Sequence, residues 1–450
     1  MSTAGPLARF QKRRRRRKRR SRKGDLLAPQ ATASDGSAPI AGVAASSGGG
    51  GSGSSGGSGS GEEPVHEFES QVAFSSGQPH EGSPETLFRQ NPDRSFFRQF
   101  FNERMRFSDG FETEIWAFHD ESGAKIFPAP TIRVTEGEIA HVLLKAGKGP
   151  HTIHFHGIEP DPRNDGVGHT AFEVTGGFTY QWQPQKGEPG NPNQGAAGSY
   201  FYHCHVNTVL HVQMGMFGPL IVDPIVHPAF PVPQGGRRAF VDGPVYDVAT
   251  EALIVSWEVD PRWHELNHAA GLDGQDVGLN RFEPSRFYLL GGTLNGGSGG
   301  GATNTDGSSG SGGGGRVLEI KEVRARLGGL PTLVRFLNGS YFPTRAFFNR
   351  PSSGLPPATD GVDVEVISHD GRPFRHTDDP NGPSEPCGVD GPLLLNRLAF
   401  GAAERYDLIL HPKKRGTFVA QVEWYDWIGD ADAQVNSVAK ATREFRIIVE

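Results

Sequence analysis

The chain has 450 residues, and its many Gly (62) and Pro (34) with only 21% charged residues suit β-rich domains joined by low-complexity connectors rather than a helical bundle. Two cysteines exclude a disulfide-stapled scaffold and any zinc module built on several cysteines. The apolar runs are too short for a transmembrane helix.

The formal net charge of −6 hides a strongly basic N-terminus. The block from Lys12 to Lys23 is Lys or Arg at every position except Ser21, and a Gly/Ser tract follows from Ser46 to Gly61. Such segments cannot bury a core, so we expect residues 1–84 to form a disordered, solvated arm. The alternative is that its basic block binds nucleic acid, an anionic membrane or the acidic remainder of the chain, and we expect no specific nucleic-acid partner. No apolar core follows the arginines, so the sequence shows no signal peptide.

The next segment predicts a short amphipathic helix that begins the first domain, residues 85–226. Ser95 can cap this helix, and apolar residues recur at helical spacing at Phe96, Phe97, Phe100, Phe101 and Met105. From Phe111 the pattern changes to short β-prone runs with turn residues between them. This spacing predicts a β-sandwich or small barrel.

A second β-rich domain is predicted over residues 234–450, after a Pro-rich connector. Its clearest strand-like runs are Ala252–Val259, Thr332–Leu337 and Phe418–Trp424. Residues 292–315 are almost entirely Gly, Ser, Thr and Asn, which predicts a flexible insertion. We identify no metal ligands in this domain.

Two histidine-rich clusters in the first domain carry the strongest chemical signal. They are His151-Thr-Ile-His154-Phe-His156-Gly157 and His203-Cys204-His205, the latter followed by His211 and Met216. Residues i and i+2 of a strand point to the same face. His154 and His156 therefore share a face, and so do His203 and His205. Cys204 points to the opposite face, which predicts two metal environments separated by one strand.

The side of Cys204 offers the ligands of a blue-copper site. One thiolate, the imidazoles of His151 and His211, and a weak axial thioether from Met216 suit fast one-electron transfer. The imidazole side suits further copper ions with open positions for a small oxidant. The alternative is a structural cysteine in a His-rich strand pair, which requires the order and both spacings to coincide by chance.

At these residues the sequence resembles the multicopper oxidases, from about residue 111 to the C-terminus without the Gly-rich insertion. Pro128-Ala-Pro-Thr-Ile-Arg-Val-Thr-Glu-Gly137 resembles the Pro-Gly-Pro-Thr-Ile-Arg strand of the family's first cupredoxin domain. Val366-Ile-Ser-His-Asp-Gly371 and Glu404-Arg-Tyr-Asp407 resemble its copper-free middle domain. The resemblance implies an all-β fold of two cupredoxin-like Greek-key β-barrels after the disordered arm.

The resemblance also implies a role for each ligand. Type 1 copper binds to His151, Cys204 and His211 with Met216 axial, type 2 copper faces His154, and the type 3 pair faces His156, His203 and His205. The implied function is copper-dependent oxidoreduction. A small-molecule or metal-ion reductant gives single electrons to the type 1 copper, and Cys204 passes them through His203 and His205 to a polynuclear copper site that reduces O₂. Relatives work outside the cytoplasm, which implies a periplasmic or secreted location.

Three features separate this chain from common members of the family. The trinuclear copper cluster of the family uses four His-x-His pairs, and this chain has two. The others come from a partner chain, from a second copy of this chain, or are absent, in which case the chain is a type 1 copper electron-transfer or copper-binding protein without oxidase activity. The six residues between Cys204 and His211 indicate a bacterial, non-laccase-like variant. His154 and His205 favour oxygen over nitrite as the oxidant.

A competing motif lies in the second domain. His264-Glu265-Leu-Asn-His268 matches the His-Glu-x-x-His pattern by which zinc peptidases hold their metal. Asp260 and Pro261 can begin a short helix there. Gly274 replaces the third histidine of one large peptidase group, and five-residue matches often occur by chance. We therefore favour an exposed polar helix or loop.

Overall fold

The computed structural model describes residues 91–158, 160–168, 170–191, 194–266, 282–294, 315–348, 361–374, 394–395, 397–426 and 439–450. The predicted arm of residues 1–84 lies outside this part of the chain, as do residues 295–314 of the predicted insertion. No helix in the described part is long and apolar enough to cross a lipid bilayer.

The first half of the described chain folds into two four-stranded sheets. Its elements are β1 (Arg94–Arg106), β2 (Glu112–His119), β3 (Ile126–Phe127), β4 (Ile132–Thr135), β5 (Ala140–Lys145), β6 (His154–His156), α1 (Pro162–Asp165), β7 (Gly177–Trp182), β8 (Gly198–His203), α2 (Thr208–Met214) and β9 (Phe217–Asp223). One sheet has the strand order β2-β1-β5-β7 and the other β4-β9-β8-β6. Their inward side chains, Trp116, Phe155 and Tyr180 among them, share one core.

The segment predicted as a helix from Ser95 is strand β1, so that prediction was wrong. β1 pairs antiparallel with β2 and parallel with β5. Phe100 packs into the core of the first barrel, whereas Phe101 and Met105 pack into a second cluster shared with the second barrel. The buried face therefore changes between the two halves of the strand, which breaks the alternation that normally marks a strand.

The second half forms a larger barrel of two sheets. Its elements are β10 (Gly236–Arg238), β11 (Val245–Asp247), β12 (Ala252–Val259), α3 (Pro261–Leu266), β13 (Arg286–Thr293), β14 (Arg316–Val317), β15 (Glu322–Ala325), β16 (Thr332–Asn338), β17 (Thr344–Phe347), β18 (Val362–His369), β19 (Arg372–Pro373), β20 (Leu394–Leu395), β21 (Arg397–Phe400), β22 (Arg405–Pro412), β23 (Gly416–Trp424) and β24 (Ala441–Val449). The strand orders are β13-β12-β16-β22-β18-β19, with β20 on β18, and β15-β24-β23-β17-β21. The predicted all-β fold with two barrels is confirmed.

The start of the predicted Gly-rich insertion was wrong, because Gly292 and Thr293 belong to strand β13. The preceding Gly291 has a φ of +122°, and a Cβ there would lie 2.1 Å from the carbonyl oxygen of Leu253 on the paired strand β12. This glycine serves the close approach of two strands rather than the flexibility of a loop.

An apolar cluster joins the two barrels. It contains Phe101 and Phe107 of the first barrel together with Trp257 and Leu290 of the second. The rings of Phe107 and Tyr288 stack with their centroids 4.2 Å apart. Strands β3 and β14 add a short parallel pair across the same junction. The barrels therefore bury apolar surface against each other and pack as one unit.

A buried network of charged side chains spans the same junction. Arg133 on β4 donates to Asp223 at 2.8 Å and to Glu251 at 2.9 Å. Arg335 on β16 donates to Glu251 at 2.7 Å and to Asp407 at 3.4 Å. The side chains of Arg335 and Glu251 are both 0% exposed. Buried charges persist when they are paired and hydrogen-bonded, so this network fixes how the two barrels meet.

Candidate metal centres

The first cluster gathers around the buried thiol of Cys204. Its Sγ lies 3.2 Å from Nδ1 of His211 and 3.7 Å from Nδ1 of His151. All three ligand atoms lie within 4.8 Å of one another. His151 precedes β6, Cys204 follows β8 and His211 lies in α2, so three separate elements bring these groups together. A sulfur and two imidazole nitrogens that converge in this way form a trigonal set of metal ligands.

Backbone hydrogen bonds hold Cys204 against the end of α2. The Cys204 N–H donates to the Met216 carbonyl at 3.0 Å, and the Met216 N–H donates to the His211 carbonyl at 2.9 Å. The turn between them passes through Gly215, with a φ of +112°, where a Cβ would lie 2.9 Å from the Trp116 carbonyl oxygen. Glycine is therefore required, and Met216 is placed, fully buried, in the core cluster that contains Cys204.

The two imidazoles of the Cys204 cluster are held in fixed orientations. Nε2 of His151 donates to the Lys148 carbonyl oxygen at 2.9 Å, which leaves Nδ1 as the acceptor beside the sulfur. The His151 ring stacks on Phe100 with the centroids 4.5 Å apart. The His211 ring packs edge-on against Trp116 at 5.5 Å. A tied second nitrogen, as on His151, is typical of metal-binding histidines.

Burial raises the pKa of the Cys204 thiol to about 11. In the metal-free protein this group is therefore a neutral thiol at pH 7. A bound cation reverses this preference, since a coordinating thiol loses its proton. The two Nδ1 atoms beside Sγ, rather than the thiol's own acidity, distinguish Cys204 from an ordinary core cysteine.

The second cluster lies where β6 pairs with β8. His154 stands opposite His203, and His156 stands opposite Phe201 in the antiparallel register. Ligand nitrogens of His154, His156 and His203 lie within 4.8 Å of one another. Nδ1 of His156 lies 3.4 Å from Nε2 of His203. The centroid of the His205 ring is 5.5 Å from that of His154, so four imidazoles share one face.

Backbone carbonyls orient two of these four rings. Nδ1 of His154 donates to the Asp165 carbonyl oxygen at 2.8 Å, and the Asp165 carboxylate lies 3.3 Å from the same nitrogen. Nδ1 of His203 donates to the Cys204 carbonyl oxygen at 2.9 Å. Nε2 of each ring then offers a lone pair to a metal. Cys204 thus supplies the thiol of one cluster and the carbonyl that orients a ring of the other.

Burial also keeps imidazoles of the second cluster neutral. It lowers the pKa of His156 to about 4, assisted by the charge of Arg405, and lowers the pKa of His203 to about 3. A neutral imidazole has the lone pair that a metal ion requires. Both rings are therefore in the metal-binding form at pH 7.

The four imidazoles line a cavity of about 300 Å³ between the barrels. The first barrel contributes further wall residues at Phe201, Thr208, Val212 and Phe217. The second barrel supplies the other wall with Asn338, Gly339, Ser340, Tyr341, Ala402 and Ala403. Among the described residues of the second barrel, no histidine lines this cavity.

The structure places all the ligands predicted from the sequence in or beside the two clusters, at His151, His154, His156, His203, Cys204, His205, His211 and Met216. Their individual coordination roles stay predictions. The sequence did not reveal the carbonyls of Lys148 and Asp165 that orient rings, because any residue can supply a backbone acceptor. It also did not reveal the second-barrel wall, since no local pattern reports contacts between distant segments.

His264 of the zinc-like motif is buried in α3, so the expectation of an exposed polar helix was wrong. Its Nδ1 lies 2.7 Å from the Glu114 carbonyl oxygen, and its Nε2 lies 3.1 Å from the Gln213 carbonyl oxygen. No metal-ligating group among the described residues includes His264. His268 of the motif lies outside the described residues.

Residues 102–226 match the family model of the multicopper oxidases. This part of the chain is therefore similar to a multicopper oxidase domain. The chain is 32% identical to the L-ascorbate oxidase of Cucumis sativus over 163 residues, which are 34% of this chain and 22% of that protein. It is 34% identical to the hephaestin of Mus musculus over 111 residues, which are 24% of this chain and 9% of that protein.

Among solved structures, the chain is similar to the blue copper oxidase from Nitrosomonas europaea, with a TM-score of 0.47, 21% identity, and coverage of 79% of this chain and 86% of that chain. The chain spans less than a quarter of the length of the ascorbate oxidase and hephaestin relatives. The predicted relationship to the multicopper oxidases is confirmed, and copper is the metal of that family.

Proposed function

We propose that the chain is a copper-dependent oxidoreductase of the multicopper oxidase type. It takes single electrons from a reducing substrate at the Cys204 cluster and delivers them to a small oxidant, O₂ in the first place, at the imidazole cluster. Four one-electron oxidations and four protons balance the reduction of one O₂ to two water molecules. The proposal rests above all on Sγ of Cys204, which lies 3.7 and 3.2 Å from Nδ1 of His151 and His211.

The donor atoms fit copper. A thiolate, two imidazoles and the thioether of Met216 form the set that holds copper for electron transfer, whereas imidazoles alone suit copper with open positions. Hydrogen bonds from His151, His154 and His203 to backbone carbonyls leave the nitrogen beside each cluster unprotonated. Copper bound at the two clusters would supply one-electron redox chemistry, which thiol and imidazole groups alone do not provide.

Cys204 connects the two clusters. His203 and His205 are its neighbours in the chain, and Nδ1 of His203 donates to the Cys204 carbonyl at 2.9 Å. A covalent route and a hydrogen-bonded route therefore run from the thiol to the imidazole face. We assign His203, Cys204 and His205 the role of the electronic path.

The residues of the second wall favour a copper site with fewer ions than a trinuclear cluster. A trinuclear cluster of this family uses eight histidines, whereas the described residues contribute four to this cavity, all from the first barrel. Asn338, Ser340 and Tyr341 line the other wall instead. We therefore propose one or two copper ions at the imidazole cluster in addition to the copper at Cys204. Histidines added by a partner chain are the alternative, and they would raise the copper content.

The reducing substrate is proposed only by class, as a small molecule or metal ion. Ascorbate is the first probe, because the matched domain is similar to that of an ascorbate oxidase. The family resemblance also leads us to propose an extracytoplasmic location.

The test combines copper content, assembly mass, visible absorption and O₂ uptake with ascorbate on the full chain. We expect a thiolate-to-copper absorption band, two or three copper ions per chain and O₂ uptake. Cys204→Ser should abolish the band and the O₂ uptake. His411→Gln, at an exposed site of the second barrel, serves as the control. A wild-type chain that takes up copper without the band contradicts the proposal.

A second candidate is a type 1 copper electron carrier or copper-binding protein without oxidase activity. Among the residues that the structure describes, imidazoles lie on one wall of the cavity, which favours this candidate because the site for the oxidant is then incomplete. It predicts about one copper per chain, the same absorption band and no O₂ uptake above the Cys204→Ser background.

A further inference from the structure

Helix α3 belongs to the second half of the chain but packs on the first barrel. Trp263 in α3 is 4% exposed and lies in the core cluster that contains Cys204 and Met216. The helix also contacts α2, the helix that carries His211. The second half of the chain therefore contributes to the core of the first barrel and contacts the helix that carries a ligand of the Cys204 cluster.

His264 makes the polar contacts between α3 and the first barrel. Its Nδ1 lies 2.7 Å from the Glu114 carbonyl oxygen on β2. Its Nε2 lies 3.1 Å from the Gln213 carbonyl oxygen and 3.5 Å from the Gln213 side-chain nitrogen on α2. The same Gln213 amide donates to the Glu258 carbonyl at 3.0 Å. One imidazole thus bridges β2 and α2, while Gln213 adds a second link to the second barrel.

The protonation of His264 follows from these contacts. Burial lowers its pKa, so the ring is neutral and has one N–H. The shorter distance assigns this hydrogen to Nδ1, which donates to Glu114. Nε2 then accepts from the Gln213 amide. The neutral ring therefore makes one hydrogen bond to each element, whereas the 3.1 Å approach of Nε2 to the Gln213 carbonyl oxygen is a contact without a hydrogen bond.

The two bridged elements are those that hold the His211 ring. Gln213 follows His211 by two residues in α2, and Glu114 precedes Trp116 by two residues in β2. The Glu114 carboxylate accepts the Trp116 Nε1–H at 2.6 Å, and the Trp116 ring packs edge-on against His211 at 5.5 Å. A shift of β2 against α2 would therefore move the His211 imidazole relative to the Cys204 thiol.

We infer that His264 is a positioning residue for His211, which ties β2 to α2 from the second barrel and so sets the geometry of the Cys204 cluster. This inference rests on the proposed function, because it concerns the same copper site. The second barrel then does more than cover the first, since one of its side chains tunes the metal ligands. Simple core packing of His264 would affect folding stability without altering the copper site.

The test compares two substitutions of His264 with a matched control. His264→Leu keeps an apolar side chain and removes both polar contacts, whereas His264→Gln keeps an amide that reaches the Nε2 position. The control is His411→Leu, at a side chain that is 45% exposed and bonded to Glu365 in the second barrel. Cu(II) affinity is measured by chelator competition, together with the absorption and electron paramagnetic resonance spectra of the Cys204 site. Hydrogen exchange of the α2 amides is measured on the metal-free chains.

We expect His264→Leu to weaken Cu(II) binding at the Cys204 cluster about tenfold and to change both spectra, as substitutions that orient metal ligands do. His264→Gln, which keeps the contact with α2 but not the one with β2, should lie between His264→Leu and the wild type in affinity and in both spectra. In metal-free His264→Leu, the α2 amides should exchange about fivefold faster, as expected for a lost buried hydrogen bond. The His411 control should match the wild type in all three measurements.

Wild-type affinity and spectra in His264→Leu would overturn the inference. If that variant does not fold, His264→Gln is compared with His264→Asn, which keeps a donor at Nδ1 but cannot reach Gln213. Wild-type spectra, affinity and α2 exchange in both would likewise overturn it. A wild-type chain without a thiolate-to-copper band would instead refute the proposed function. The exchange of the α2 amides, which needs no copper, would still report the tie between β2 and α2.

Discussion

The two walls of the cavity between the barrels differ in what their polar atoms do. On the first-barrel wall, His154 and His203 each use one nitrogen to bind a backbone carbonyl and present the other to the cavity. On the second-barrel wall, Asn338 donates to two backbone carbonyls at 3.1 and 2.8 Å and accepts from Ser256 at 2.8 Å. The first wall keeps nitrogen lone pairs available for a ligand, whereas Asn338 of the second wall uses its side-chain amide within its own barrel.

This difference shows that the first barrel supplies the metal ligands of the cavity, whereas the second barrel forms its other wall. Strand pairing of β6 with β8 is sufficient to gather imidazoles, because i and i+2 positions on two neighbouring strands share a face. The second wall shapes and closes the cavity, and Ser340 accepts the Phe342 N–H at 2.9 Å as part of its own turn. Metal chemistry is therefore expected to depend on the first wall, and stability on both.

The largest effect is expected from a single ligand on the first wall. His156→Ala removes one of the imidazoles whose ligand nitrogens lie within 4.8 Å of one another. Copper affinity of that cluster should therefore fall by more than about a hundredfold, which exceeds the usual loss when a residue that only orients a metal ligand is replaced. O₂ uptake should vanish while the absorption band of the Cys204 site persists. The counterpart on the other wall, Ser340→Ala, should keep its copper. Equal copper loss in both variants would remove the distinction between the walls.

A large effect on stability is expected where the walls are held together. Arg335→Met removes the guanidinium that pairs with the buried carboxylates of Glu251 and Asp407, and Glu251 then keeps Arg133 as its cationic partner. The loss of this buried pairing should lower the free energy of unfolding by about 3–5 kcal/mol. Arg326→Met is the control, since its pair with Asp247 involves a side chain that is 56% exposed and should cost at most about 1 kcal/mol. Denaturant unfolding of the metal-free chains measures both. Equal costs would mean that the buried network does not fix the junction.

Glu258, behind the second wall, should make stability depend on pH. It is 1% exposed, and its Oε1 accepts the Tyr341 N–H at 2.7 Å. Burial raises the pKa of its carboxyl to about 8 from an ordinary value of 4.5. The folded chain therefore binds more protons than the unfolded chain between these values. The free energy of unfolding should fall, by a few kcal/mol in total, as the pH rises from about 5 to about 8.

Other groups titrate outside the upper part of this range. His156 and His203 have pKa values lowered to about 4 and 3, so they stabilise the folded chain as the pH rises towards 6.5 and add nothing above it. The thiol of Cys204 titrates near 11 in the folded chain. In the unfolded chain this thiol has its ordinary pKa of 9.0, so melting temperatures of the metal-free chain between about pH 7 and pH 8 report mainly on Glu258. Glu258→Gln should flatten the slope there, and an unchanged slope would assign it to another group.

Much of the fold and the ligand set could be predicted from strand patterns. β12 has the predicted bounds, Ala252–Val259, because a continuous β-prone run between turn residues is a strong local signal. The face shared by His154 and His156 follows from strand geometry alone. Strand β1 was missed because Phe100 and Phe101 are buried by different barrels, and a local pattern does not report which neighbour covers each face.

The parts that could not be predicted depend on contacts between distant residues. His264 and the Glu114 carbonyl are 150 residues apart, and a five-residue motif gave no indication of that contact. The second-barrel wall likewise becomes part of the cavity only when the barrels pack together. Ring orientation depends on carbonyls such as that of Lys148, which carry no side-chain signature. Sequence thus indicates which atoms can bind a metal, whereas tertiary packing determines how they are aimed.

The smallest effect is expected at the outer edge of the first wall. Asp165 binds Nδ1 of His154 through its carbonyl oxygen at 2.8 Å, and its carboxylate lies 3.3 Å from the same nitrogen. Asp165→Asn keeps the backbone acceptor and removes the charge, so the ring should keep its orientation and lose some basicity. We expect copper affinity of the imidazole cluster, measured by chelator competition, to fall less than about tenfold, with the Cys204 absorption unchanged. A loss near a hundredfold, the upper end for residues behind metal ligands, would instead show that the carboxylate holds His154 in place.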